Sequence, residues 1–195
     1  MAESYKTIVA ATEGLYKDKG SKFLSFAIPV RSLDEVKTHL ESYRKQYYDA
    51  RHCCYAYVLG AGDGDNTGCM GLEYRANDDG EPSGTAGRPI LGQINSKGLT
   101  DILVIVVRYF GGILLGTGGL IVAYKEATAD ALAQAEIVER PVLIRRDFAF
   151  PYEKMSAYMK LIRETNTQII NQGYTDEGLC TMTLDIEKKH EGRFS

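Results

Sequence analysis

The residues of this chain that can do chemistry lie in two glycine-rich segments, of which the first is the loop 77–89. It carries three carboxylates and two hydroxyls, namely Asp78, Asp79, Glu81, Ser83 and Thr85. Such carboxylates can coordinate Mg²⁺, activate water, or cap a helix from Pro89 to about Ser96, and Asp78, Asp79 and Glu81 are the candidate metal ligands. The alternative is a rigid connector whose carboxylates bind nearby arginines, with candidates Arg75, Arg88 and Arg108. The spacing leaves both interpretations open.

The second segment, residues 101–133, predicts a buried strand, a glycine turn and a helix. Its six consecutive apolar residues at 102–107 are typical of a strand covered on both faces. One packing face then recurs at helical spacing and comprises Leu120, Tyr124, Ala127 and Ala131. Thr117 is a candidate cap, and a helix start near Gly118 with free N–H groups can hold an anion. Alternatively, the glycines only permit close packing and positive φ angles.

Basic side chains and one histidine lie next to these segments in the sequence. Arg108 ends the buried strand directly before two glycines, where an unpaired charge would be costly to bury. Either a carboxylate from 78–81 neutralises Arg108, or it faces an open site. His52 opens a strand beside two cysteines, which favours a structural hydrogen-bonding role over that of a proton carrier. The candidates for binding a ligand or nucleic acid are Lys22, His52, Asp79, Glu81, Ser83, Thr85, Arg88, Arg108, Gly111, Gly112, Gly116, Gly118 and Lys125.

The composition bounds the class of protein. With 195 residues, 44% apolar content and 25% charge, the chain suits one large domain or two small domains of a soluble protein. No membrane span or signal segment is recognisable, so a cytoplasmic location is expected. The net charge of −3 gives no general attraction to nucleic acid. RNA contact therefore requires a local basic patch, and no DNA specificity is implied.

Known catalytic and metal-binding motifs are absent from the sequence. There is no Gly-x-Ser-x-Gly, no Walker phosphate loop and no His-Glu-x-x-His pattern. The cysteines form no Cys-x-x-Cys pair and are expected to be core thiols; they are Cys53, Cys54, Cys69 and Cys180. Residues 63–68 resemble the opening of a calcium loop, but Tyr74 stands where that loop needs Glu. We interpret them as a polar turn.

Strands and helices must position these segments. The strands predicted in the first part are Tyr5–Ala11, Phe23–Val30, His52–Leu59 and Gly71–Ala76. Ser32 and Glu35 form a capping box that opens a helix, whose apolar stripe comprises Leu33, Val36, Leu40, Tyr43 and Tyr47. A domain boundary is expected at Glu139–Pro141. A strand, a helix and a hairpin follow at 142–150, 151–162 and 167–187, which is the beginning of a split β-α-β sandwich.

Five short motifs together carry a family resemblance, and they are 21–23, 50–52, 78–87, 106–112 and 115–120. They are similar to those of the IMPACT family, also called the YigZ or UPF0029 family, and the match spans at least 20–135. The resemblance implies an α+β protein with a domain over 1–138 like domain 2 of ribosomal protein S5. It also implies a small ferredoxin-like domain over 139–195, similar to domain V of elongation factor G but without its expected last helix and strand.

The same resemblance implies a non-enzymatic, translation-related binding protein. The main hypothesis is that it contacts RNA or the ribosome through a groove between the two glycine loops, with basic residues near the motifs holding phosphates. A translation-related protein partner is also implied. Eukaryotic members regulate a starvation kinase with an additional RWD domain, which has no counterpart here, so that role is not transferred. The alternatives are an enzyme or binder for a small phosphorylated ligand with Mg²⁺, and a protein-interaction adaptor.

Overall fold

The computed structural model describes residues 3–61 and 71–194, in two compact units, Met1–Arg140 and Pro141–Ser195. The polar turn expected at 63–68 and the thiol of Cys69 lie outside the described residues. Both units are mixtures of helices and antiparallel sheet, so the chain is a mixed α/β protein. Among the described residues, every helix is too short or too polar to cross a membrane.

Over residues 3–61 and 71–140, the first unit is built on a five-stranded antiparallel sheet with three helices. In spatial order its strands are β2 (Thr12–Asp18), β3 (Ser21–Pro29), β6 (Ile102–Tyr109), β4 (His52–Leu59) and β5 (Glu73–Asn77). Its helices are α1 (Leu33–Gln46), α2 (Gly87–Ser96) and α3 (Gly116–Ala133). The central strand β6 is buried from Ile102 to Arg108, which confirms the strand predicted from the apolar run.

The two faces of this sheet carry separate hydrophobic cores. Val104 and Val106 of β6 pack with residues of α2 and α3, whereas Leu103, Ile105 and Val107 pack with residues of α1. Side chains alternate between faces along a strand, so Arg108 lies on the α2 and α3 face. His52 lies opposite Arg108 in the β4–β6 register and shares that face.

The first predicted strand is wrong in its extent. β1 ends at Ile8 and pairs with β7 (Ile137–Pro141), where Ser4 Oγ donates to Glu139 at 2.6 Å. The separate strand β2 was not predicted. It is the edge of the sheet and alternates between exposed and half-buried residues, with Leu15 and Tyr16 as its large apolar side chains. An edge strand of this composition gives little apolar signal.

The helix starts agree with the sequence only in part. Half of the capping box is confirmed, since Ser32 Oγ accepts from the N–H of Glu35 at 3.2 Å, but the Glu35 carboxylate accepts from the N–H of Arg31, at 2.5 Å, rather than from that of Ser32. In contrast, α2 begins at Gly87 rather than Pro89, whose missing N–H costs nothing within a first helical turn. The helix α3 begins at Gly116, so Thr117 is a residue of its first turn and the predicted cap is wrong.

The second unit is a three-stranded sheet with one α-helix. It comprises β8 (Leu143–Phe150), α4 (Met155–Thr165), β9 (Gln168–Tyr174) and β10 (Cys180–Glu187), followed by a 3₁₀ helix at Lys188–Phe194. The predicted hairpin is confirmed as β9–β10. Because β10 lies between β8 and β9 and is antiparallel to both, the topology is that of a split β-α-β unit. Its core includes Ile162, Met182 and Leu184.

Candidate functional site

A cleft of about 260 Å³ opens in the first unit where the two glycine-rich loops meet. The loop after β5 contributes Glu81 and Pro82, while the end of β6 and the segment after it contribute Arg108, Phe110 and 114–117. The complete lining is Arg51, His52, Glu81, Pro82, Arg108, Phe110, Leu114, Leu115, Gly116, Thr117 and Leu120. Two segments that are separated in the sequence therefore form one cavity.

A buried carboxylate, Glu81, forms the polar centre of this cleft. Nη1 of Arg108 donates to both Glu81 oxygens at 2.8 Å, and the Tyr124 hydroxyl donates to Oε2 at 2.5 Å. The side chains of Glu81 and Arg108 are only 3% and 6% exposed, so the pair is screened from water. Burial, together with nearby Cys54 and Glu81, raises the pKa of Tyr124, which keeps its hydroxyl a donor. A loop carboxylate thus neutralises Arg108, which was one of the two expected outcomes.

His52 connects this carboxylate to the loop backbone. Its Nδ1 lies 2.7 Å from the carbonyl oxygen of Asp79, and its Nε2 lies 3.2 Å from Oε1 of Glu81. A carbonyl and a carboxylate oxygen both accept, so both contacts are hydrogen bonds only when the imidazole carries two protons. In that form His52 adds a positive charge to the cleft wall.

The other two carboxylates of the loop accept from backbone N–H groups, Asp78 from the loop and the start of α2 and Asp79 from strand β4. Asp78 accepts from the N–H groups of Gly84, Ala86 and Gly87 at 2.8–3.1 Å and so closes the loop onto the start of α2. Burial alone would raise the pKa of Asp78, but these hydrogen bonds and the charge of Arg88 lower it below the ordinary value. Asp79 accepts from the N–H of Cys53 at 2.7 Å.

Metal binding receives no geometric support from these carboxylates. Within residues 3–61 and 71–194, no group of three or more His, Cys, Asp or Glu side chains is arranged to hold a metal ion. Asp78, Asp79 and Glu81 accept from different partners, as described above, rather than converging on one point. A role for Mg²⁺ therefore remains a prediction.

The rim of the cleft is apolar and exposed. The side chains of Phe110, Ile113 and Leu114 belong to the loop after β6, and Leu114 is 82% exposed. The guanidinium of Arg51 lies 5.1 Å from the centroid of the Phe110 ring, and that of Arg108 lies 5.6 Å from it. Cations at these distances are attracted to the ring face. Positive charge and apolar surface thus lie side by side at the opening.

The structure brings only some of the predicted site residues together. His52, Glu81, Arg108 and Gly116 line the cleft, and Gly118 lies in the first turn of α3 beside it. Gly111 serves packing, because a Cβ there would lie 2.1 Å from the carbonyl carbon of Gly20. The remaining residues, none of which lines the cleft, are Lys22, Asp79, Ser83, Thr85, Arg88, Gly112 and Lys125.

Local geometry explains several of these outlying positions. Lys22 precedes Phe23 in β3, and Phe23 packs in the core on the α2 and α3 face, so the Lys22 side chain points to the opposite face. Thr85 is buried and donates to the carbonyl of Pro82 at 2.6 Å. Lys125 is exposed more than two turns into α3. Lys22, Thr85 and Lys125 are therefore close to the motifs in the sequence but do not line the cleft.

Arg51, Phe110 and Leu114 line the cleft but were not in the predicted set, and Tyr124, also outside that set, donates to Glu81 beneath it. In the sequence Arg51 is identifiable only as a member of the motif 50–52, and Tyr124 only as part of a helical packing face. The signal for the rim was present in the sequence. Phe110, Ile113 and Leu114 lie next to the glycines at 111, 112 and 116 and are exposed, whereas Leu115 of the same segment is buried.

The two adjacent thiols of β4, Cys53 and Cys54, lie in the cores on opposite faces of the sheet and are expected to be unreactive. Burial, with Asp79, raises the pKa of Cys53 to about 11, even though Arg44 lowers it, and burial also raises the pKa of Cys54. Because the thiolate is the reactive form, iodoacetamide at pH 8 should modify neither residue in the folded protein and both in 6 M guanidinium. Peptide mass mapping measures this, and rapid labelling of Cys54 under native conditions would contradict the expected burial.

Known proteins match this chain over the part that contains the cleft. A family model for the Impact N-terminal domain matches residues 19–132. IMPACT family member YigZ of Escherichia coli is 34% identical over 97% of this chain and 90% of its own length. IMPACT family member YvyE of Bacillus subtilis is 32% identical over 100% of this chain and 85% of its own length.

A solved structure agrees over the same length. It is that of a protein described only as hypothetical, and it is 31% identical to this chain with a TM-score of 0.77. The match covers 100% of this chain and 91% of the other. The family model includes every residue that lines the cleft. The chain belongs to the IMPACT family.

Proposed function

We propose that this protein is a non-enzymatic, translation-related binding protein of the cytoplasm that contacts RNA or the ribosome through the cleft. The observation that supports this most directly is the shared cavity of the two glycine loops, with Arg51 and Arg108 beside an exposed apolar rim. Proteins that bind single-stranded nucleic acid combine positive charge along the backbone path with flat apolar surfaces for the bases. Phe110 and Leu114 supply such surfaces at the opening.

The local charge offsets the acidic composition. The net charge of −3 gives no general attraction, but the cleft has two guanidinium groups against the single carboxylate of Glu81. Contacts of this kind bind phosphates and orient a nucleic acid without reading its sequence. We therefore propose RNA binding without sequence specificity, and translation-related proteins as the further partners.

The finer fold assignment is part of the same proposal. We infer that the first unit resembles domain 2 of ribosomal protein S5 and that the second resembles the ferredoxin-like domain V of elongation factor G. The split β-α-β topology of β8, α4, β9 and β10 supports the second likeness. Both likenesses are to domains of the translation machinery.

RNA binding that weakens with salt is the expected result. The affinity for a single-stranded oligonucleotide should fall as salt rises, with a slope of about −0.7 per phosphate contact. Arg51→Ala should weaken binding by about 3- to 10-fold and reduce that slope by about 0.7, because one contact is lost. Arg51 is exposed, so the fold should be unaffected. Fluorescence anisotropy over a salt series measures both quantities.

The matched control is Arg75→Ala, which removes the same charge from an exposed position on β5 that does not line the cleft. It should bind like the unaltered protein. If Arg51→Ala and Arg75→Ala weaken binding equally, the cleft is not the site. If neither RNA nor ribosomes are retained at low salt, the proposed function is wrong.

A further inference from the structure

Arg108 carries a buried hydrogen-bond donor that the fold leaves unused. Its side chain is 6% exposed and lines the cleft, and its Nη1 is occupied by Glu81. The Nε–H has no partner among the described residues. The N–H donors of a guanidinium point in fixed directions in one plane. With Nη1 bound to Glu81, the edge of the group that carries Nε–H is still available and suits an oxyanion. A buried donor without a partner is costly, and an acceptor arriving in the cleft would remove that cost.

The start of α3 adds a second set of free donors on the same cleft. The first turn of this 18-residue helix has no acidic residue and no side-chain cap. The first backbone N–H groups of a helix have no acceptor within it, and here they belong to Gly116, Thr117 and Gly118. Gly116 and Thr117 line the cleft. These groups and the positive end of the helix dipole favour an anion.

The backbone just before the helix strengthens this preference. Leu115 has φ −88° and ψ −18°, in the right-handed helical region, and Gly116 has φ 73°, in the left-handed region. A right-handed residue followed by a left-handed one directs successive N–H groups into one concavity, which binds anions. Gly116 is required for that geometry, since a Cβ would be strained at this φ although it would meet no neighbouring atom.

The depth and size of the cleft restrict the form of the anion. The free Nε lies on a side chain that is almost fully buried, so the anion must enter end first. An internal phosphodiester continues as chain on both sides and carries one charge. A phosphate monoester ends in three acceptor oxygens and carries a charge of about −1.5 to −2 near neutral pH. The volume of about 260 Å³ is near the lower limit of small-molecule sites.

We propose that the cleft binds a phosphate monoester, held by the α3 start, Arg108 Nε and Arg51, with the attached group against Phe110 and Leu114. This proposal rests on the proposed function, because it specifies which part of a bound RNA, its terminal phosphate, enters the cleft. Two sources share this chemistry, which are the phosphorylated end of an RNA and a free nucleoside monophosphate. The charge of Glu81 is offset by Arg108, whose Nη1 donates to both of its oxygens, so the carboxylate is already paired when the anion binds.

The direct test compares ligands that differ only in the terminal phosphate. Fluorescent oligonucleotides with a 5′-phosphate, a 3′-phosphate or only hydroxyl ends are titrated by anisotropy. Inorganic phosphate and a nucleoside monophosphate are used as competitors. At least one phosphorylated end should bind ten times more tightly than the hydroxyl form. Equal potency of the monophosphate and the phosphorylated RNA would identify the free nucleotide as the source, and much tighter binding of the RNA would identify the RNA end.

Thr117→Glu is the informative variant. It places a carboxylate at the cleft and in the first turn of α3, where negative charge favours the helix, so folding should be retained. Repulsion should abolish the tenfold preference. The matched control is Val122→Glu, which adds the same charge at an exposed α3 position outside the cleft and should keep the preference. Arg108→Lys is a second variant, because it retains a cation beside Glu81 but lacks Nε, and it should also reduce the preference.

The outcomes separate this proposal from the proposed function. Equal affinity for phosphorylated and hydroxyl-ended RNA, or a preference that survives Thr117→Glu, would overturn the monoester site while leaving RNA binding in place. Tight binding of a nucleoside monophosphate without any binding of RNA or ribosomes would support the monoester site and contradict the proposed function.

Discussion

Glu81→Leu is expected to lower the free energy of unfolding of the first unit by about 4 kcal/mol. The change leaves the Arg108 guanidinium, whose side chain is 6% exposed, without its carboxylate partner. It also removes the acceptor of the Tyr124 hydroxyl and of His52 Nε2. Removing one partner of a buried ion pair costs far more than removing both, because the remaining charge stays out of water. Urea denaturation followed by near-ultraviolet circular dichroism measures the loss.

Two controls identify the buried charge as the cause. The double variant Glu81→Leu with Arg108→Met should recover at least half of the loss, because no unpaired charge remains. Asp185→Asn breaks the pair with Arg145, whose side chain is 60% exposed, and should leave the denaturation midpoint unchanged. If Glu81→Leu unfolds at the same midpoint as the unaltered protein, the pair does not stabilise the unit.

Asp78→Ala is expected to destabilise the first unit by about 2–3 kcal/mol. Three backbone N–H groups, on Gly84, Ala86 and Gly87, lose their shared charged acceptor. The start of α2 loses its cap at the same time, since Ala86 has no side chain that could replace it. Asp34→Ala is the control, because it removes an exposed carboxylate of the first turn of α1 and should cost less than half as much.

The pH dependence of this effect has a defined sign. The folded state lowers the pKa of Asp78 below its ordinary value of 3.8. The stabilisation is therefore complete above that value and is lost as the pH falls through the lower pKa of the folded protein. Between pH 5 and pH 3 the unaltered protein should lose more stability than Asp78→Ala. Parallel stability curves for the two proteins would show that Asp78 is not the group responsible.

The framework of the fold could be predicted from the sequence where periodicity or capping chemistry was strong. The apolar run of β6, the capping box of Ser32 and Glu35, and the hairpin β9–β10 are all signalled within a dozen or so residues. In contrast, β2 is an edge strand with mixed exposure and gave no such signal. The helix α3 was predicted to start near Gly118 but begins at Gly116. Its start has no side-chain cap and is marked instead by the positive φ of Gly116, which the sequence pattern does not indicate.

The candidate site was predicted less well because its contacts join distant parts of the chain. Arg108 and Glu81 are 27 residues apart, and Tyr124 and Glu81 are 43 residues apart. Nothing in the local spacing specifies which carboxylate meets which arginine. The sequence limited the partners of Arg108 to the loop 78–81. The register of β4 on β6 places His52 opposite Arg108, and the path of the loop after β5 brings Glu81 to it. Lys22 was predicted to be near the site because of its position in the sequence. It is next to Phe23 in β3, however, so its side chain points to the face opposite the cleft.

The pairing of β1 with β7 has a consequence for how the first unit forms during synthesis. Residues Ser4–Ile8 are synthesised before their partner strand Ile137–Pro141, which follows more than a hundred residues later. At a synthesis rate of about 5–20 residues per second, β1 therefore lacks its partner for roughly 6 to 26 s. In a stalled nascent chain whose β7 has not yet left the exit tunnel, we expect protease to cleave within β1. In a chain extended until β7 is outside the tunnel, we expect β1 to resist cleavage.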